Sequence, residues 1–78
     1  MVVTVVGIGP LQTGTYQNFN YANRSVYVEY PVKGVDGLVA ERFKVPDRIS
    51  TLEGIRPGDS INVDFNRFGR IDSIRKEG

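Results

Sequence analysis

The side chains best suited to chemistry in this sequence are flat rings interleaved with cations. In "FNRFGR", residues 65–70, Phe68 stands between Arg67 and Arg70. In "YQNFNYANRSVYVEY", residues 16–30, Tyr16, Phe19, Tyr21 and Tyr27 recur around Arg24. Arg42 and Lys44 follow in "LVAERFKV". Rings stack on unpaired bases, while cations neutralise phosphates and release counterions. Seven of the ten basic residues are arginine, the cation that both stacks on rings and forks onto phosphates. The plainer reading is a sheet whose outward tyrosines pair across strands, each pair adding about a few tenths of a kcal/mol.

Other chemistries find little material. Without histidine or cysteine, the commonest general base, the commonest metal ligand, thiolate sites and disulfides are all missing. No serine motif suggests a nucleophile. Asp36, Asp47, Asp59 and Asp64 do not have EF-hand spacing. Most carboxylates fall on outward strand positions. Glu41 is the exception, since alternation puts it on the inward side, where it is expected at a barrel rim paired with an arginine. In "VKGVDG", residues 32–37, Lys33 could reach phosphates from a flexible loop, but the glycine spacing is not that of a P-loop. The expectation is a non-enzymatic module with no cofactor and no metal.

The elements that must carry these residues read as all-β. Val2–Ile8 is nearly continuous in β-branched residues, as in a central two-sided strand or the start of a barrel, with room for a bulge at Gly7. Residues 11–24 fit either a long loop or half of a curved strand. In "SVYVEY", residues 25–30, Val26, Val28 and Tyr30 alternate with Tyr27. In residues 38–45, Val39, Phe43 and Val45 share one face, and Arg42 and Lys44 the other. "PDRISTLEGI", residues 46–55, is the helical candidate, one or two turns long. After the Pro-Gly-Asp turn, Ile61, Val63 and Phe65 point inward. In the last strand Ile71 and Ile74 break alternation, which suggests a bulge. Asn66 and Gly69 suit a hairpin tip, leaving Phe68 either a lid folded onto the core or part of a contact patch with Arg67 and Arg70.

Five strands with a short helix between the third and fourth is the order of a small OB-like barrel. An SH3-like barrel is the alternative. The 78 residues fit one domain. A core this small and without staples would gain from dimerising. The net charge of +1 is not that of a polycation. The opening "MVVTVVGIGPL" lacks a basic n-region, and no apolar run approaches a membrane span, so a cytoplasmic protein without a membrane partner is expected.

The aromatic-rich "YQNFNYANRSVYVEY", the "KGVDG" wing, the Pro-Gly-Asp turn before "INVDF" and the closing "NRFGRID" together resemble the small single-stranded-DNA-binding proteins of filamentous phages. The similarity lies in the order of elements along most of the chain. It implies a homodimer whose wing and outward rings and cations contact DNA. The expected partner is single-stranded DNA, with RNA as the alternative nucleic acid, met by Tyr16, Phe19, Tyr21, Arg24, Tyr27, Lys33, Arg42, Lys44, Arg67, Phe68 and Arg70. The alternative is a protein-interaction module using the same aromatic patch, since rings and arginine also anchor protein interfaces.

Overall fold

A computed structural model describes residues 1–77. Among these residues six antiparallel strands form one open sheet: β1 (Val2–Ile8), β2 (Gln12–Tyr16), β3 (Phe19–Pro31), β4 (Leu38–Pro46), β5 (Ser60–Phe65) and β6 (Ile71–Lys76). The all-β reading holds. The count differs from the expected five because residues 11–24 are neither loop nor single strand. They hold β2 and the first part of β3, paired from Gln12↔Asn23 to Tyr16↔Phe19. Gln17 and Asn18 both take positive φ, 47° and 68°, the two-residue turn whose twist matches the strands it joins.

β3 is the spine of the sheet. One of its edges pairs with β4 from Asn23↔Pro46 to Pro31↔Leu38. Its other edge pairs first with β2 and then with β1. β1 pairs with β5, and β5 with β6. Both anticipated bulges are present. The β1–β3 register shifts between Val5 and Gly7, and the β5–β6 register shifts between Asp64 and Phe65, where Ile71 replaces the expected partner.

The core is the inner face of this sheet. Val3, Val5, Val26, Val28, Phe43, Val45, Ile61 and Val63 are buried there, with no buried polar residue among the described residues. β1 is central, but only one of its faces is covered. Val2 and Val6 are exposed, because an antiparallel sheet that packs one face on the core leaves the other to water. Phe65 is less buried than its alternation suggested. It sits at the margin, edge-on to Phe43 with ring centroids 5.6 Å apart.

The expected short helix between the third and fourth principal strands is absent. Ile49 and Ser50 N–H both donate to the Pro46 carbonyl, at 2.9 and 3.2 Å, but the turn stops there. Ser50 Oγ accepts the Leu52 N–H at 3.0 Å, the local side-chain bond that competes with helix continuation. Leu52 then turns left-handed, with φ of 60°, and drops its side chain into the core. So short a segment gains more from plugging the core than from a costly helix nucleus. The turn at Arg56–Asp59 forms as expected. Gly58 takes φ of 98° after Pro57, and Asp59 N–H donates to the Arg56 carbonyl at 3.0 Å. Among the described residues no helix is long and apolar enough to cross a membrane.

Candidate nucleic-acid interface

Directly opposed residues of paired strands share a face of the sheet. The β3–β4 register therefore sets Tyr27 beside Arg42 and Ser25 beside Lys44 on the outward face. The β2–β3 register adds Tyr21 opposite Gly14, and Phe19 opposite Tyr16, on the same side. Tyr21 and Tyr27 are six residues apart. At about 3.3 Å per residue this places them roughly 20 Å apart, with Lys44 between them.

Both tyrosines lie across a glycine. A Cβ on Gly14 would overlap the Tyr21 phenol, and a Cβ on Gly7 would come within 3.5 Å of Tyr27 Cδ2. Each ring thus covers bare backbone on the neighbouring strand. Each is about half exposed, Tyr21 at 49% and Tyr27 at 45%. A ring held with one side against a strand and the other towards solvent has the form of a stacking platform. The partnership of glycine with a cross-strand aromatic was not drawn from the sequence. The signal for it is a lone glycine inside a strand pattern, as at Gly14.

Tyr16 and Phe19 flank the turn of the β2–β3 hairpin, an arm whose strand β2 pairs, among the described residues, only with β3. Phe19 is 75% exposed. Arg24 does not join this outward set. It shares the inner-face positions of Val26 and Val28, is half-buried, and reaches the Gly9 carbonyl through Nη1 at 3.5 Å. Lys33 lies on the loop after β3, exposed and on none of these strands.

The hairpin between β5 and β6 answers the question raised by Phe68. The ring is 73% exposed, so it is not a lid. Arg67 stacks its guanidinium over it at 4.9 Å from the centroid, a cation–π contact. Asn66 shapes the tip. Its Oδ1 accepts the N–H groups of Phe68 and Arg70 at 2.9 and 3.1 Å, and Gly69 takes φ of 77°. Arg70 turns back towards β4. With Arg42, Lys44 and Arg48 it lines a cavity of about 350 Å³, which also touches Phe43 and Phe65.

Glu41 is exposed, and its partner is a tyrosine instead of the expected arginine. Its carboxylate accepts the Tyr30 hydroxyl, and this bond raises the phenol above its ordinary pKa. The N–H of Arg56, with the nearby Lys76 ammonium, lowers the Asp59 carboxyl below the ordinary range.

No protein-family model, no curated protein and no solved structure matches the chain.

Proposed function

We propose that this chain binds single-stranded nucleic acid, DNA in the first instance, on its outward face and without catalysis. The observation that carries the reading is the line of Tyr21, Lys44, Tyr27 and Arg42 across β3 and β4, with both rings backed by glycine. Bases stack on the rings, and the cations follow the phosphates between them. Tyr16 and Phe19 extend the line along the hairpin arm, and Arg67, Phe68 and Arg70 form an outer contact. Base preference is weak, because every base has a face to stack.

The pairing order β4-β3-β1-β5-β6 supports an OB-like barrel left open at the seam between β4 and β6, in keeping with the partly open form of that fold. The resemblance to filamentous-phage single-strand binders, with its homodimer, belongs to the same reading.

The test is a titration of the labelled chain with oligo-dT at low and moderate salt, followed by backbone amide shifts. Shifts centred on Tyr21, Tyr27, Arg42 and Lys44 that fade as salt rises are expected. Silence at low salt removes nucleic acid from consideration. Shifts that appear without salt dependence point instead to stacking alone.

A further inference from the structure

β4 has β3 on one side and no strand on the other among the described residues. In an antiparallel ladder, bonded and non-bonded pairs alternate. Asp47 N–H donates to the Ala22 carbonyl at 2.8 Å, one step beyond the Asn23↔Pro46 pair. The alternation therefore turns the N–H and C=O of Val39, Glu41, Phe43 and Val45 towards β3. Those of Ala40, Arg42 and Lys44 point into the seam, a row of alternating donors and acceptors.

The seam is also cationic. Arg42, Lys44, Arg48 and Arg70 line it. The ion pairs among the described residues join Arg75 to Asp64 and Lys76 to Asp59, and neither involves these four. The one carboxylate on the lining among the described residues, Glu41, already accepts the Tyr30 hydroxyl. Its apolar side is the edge-on pair Phe43 and Phe65, with Ile71 beside them.

We propose that the seam between β4 and the β5–β6 hairpin takes an extended peptide segment of another protein, one that alternates acidic with apolar residues. Added beside β4, such a strand continues the sheet. Its alternate side chains fall outward beside Arg42 and Lys44, and inward beside Phe43 and Phe65. A nucleic-acid backbone fits this edge less well. Its phosphates accept hydrogen bonds but donate none, which leaves the outward carbonyls of Ala40, Arg42 and Lys44 unmatched. The proposal goes beyond the nucleic-acid reading and does not depend on it. Because Arg42 and Lys44 serve both surfaces, the two ligands compete where both bind.

The probe is a blocked octapeptide alternating glutamate and valine, added to the labelled full chain without nucleic acid. Amide shifts at Ala40, Arg42, Lys44, Arg70 and Ile71 are expected, with exchange of the Ala40, Arg42 and Lys44 amides slowed at least tenfold. N-methylation of alternate residues keeps the charge but blocks one edge of the peptide. In one of its two phases it should weaken binding tenfold or more. A lysine–valine octapeptide should not bind. The idea is overturned if neither N-methylated phase binds more weakly, or if the shifts fall elsewhere. It is equally overturned if those amides become protected without peptide as protein concentration rises, which assigns the edge to a second copy. Protection of the same amides by oligo-dT, with none from the peptide, assigns the seam to nucleic acid and also overturns it.

Discussion

At the scale of single residues, Gly14 and Gly7 make different demands. A methyl group at Gly14 displaces the Tyr21 ring, whereas one at Gly7 meets Tyr27 at an ordinary contact distance. The ring over Gly14 can swing into solvent, so Gly14→Ala should change stability by less than about 1 kcal/mol. Its effect should fall on binding. Tyr21→Ala is expected to remove roughly 1–3 kcal/mol of oligo-dT affinity. Gly14→Ala should reproduce much of that loss and Gly7→Ala little of it, as measured by fluorescence titration. Equal losses in the two glycine variants would refute the platform.

Asp59 makes a residue-scale prediction about pH. Its carboxyl is held low in the folded chain by the Arg56 N–H and by Lys76. A depressed folded pKa stabilises the fold above the unfolded value, about 4. That stability is lost as pH falls through the lower folded value. Asp59→Asn should therefore unfold at lower urea than the parent at pH 7, and the gap should narrow as pH drops below about 4. A gap that stays constant with pH would assign the effect to turn geometry instead.

At the scale of elements, two loops are held by specific devices. Leu52 plugs the core from a left-handed backbone position. Leu52→Ala should cost about 2–4 kcal/mol in urea unfolding. Leu52→Gly removes still more side chain but relieves the backbone, worth roughly 1–2 kcal/mol, so it should be no worse than the alanine variant. At the β5–β6 hairpin, Asn66→Ala removes the acceptor for two N–H groups and should cost about 1 kcal/mol. It should also loosen the placement of Phe68 and leave the amide shifts of Tyr21 and Tyr27 unchanged. The β2–β3 arm, held by one partner strand, should exchange its amides faster than β1 and β5.

At the scale of the whole molecule, the near-neutral net charge hides a separation. On the β5–β6 side, Asp59 and Asp64 neutralise Lys76 and Arg75. On the β4 side, Arg42, Lys44 and Arg48 have no carboxylate at ion-pair distance among the described residues. A molecule of net charge +1 can thus present a cationic face. The salt dependence of oligo-dT binding should follow that face, with a slope of about −0.7 per phosphate contacted. Reversing Lys44 with Lys44→Glu should flatten the slope by at least one phosphate's share without unfolding the chain, since the side chain is exposed.

Much of this architecture follows from the sequence alone. Alternation in residues 25–30, 38–45 and 60–65 assigns Val26, Val28, Phe43, Val45, Ile61 and Val63 to one face, because a strand's side chains have a period of two. Gly7 and the broken alternation of Ile71 and Ile74 mark the two bulges for the same reason. The outward placement of Tyr27, Arg42 and Lys44 comes with that face assignment. Tertiary structure decided what depends on pairing between distant segments. Only the register brings Tyr21 over Gly14 and Tyr27 beside Arg42, since local periodicity carries no information about which strand lies alongside. Burial pulled Leu52 inward and ended the helix that residues 46–55 suggest. Arg24 went to the inner face because β3 runs unbroken from Phe19 and carries its alternation with it. Phe68 lies outside, on a tip that Asn66 and Gly69 shape and with Arg67 over its ring, contacts on which strand periodicity is silent.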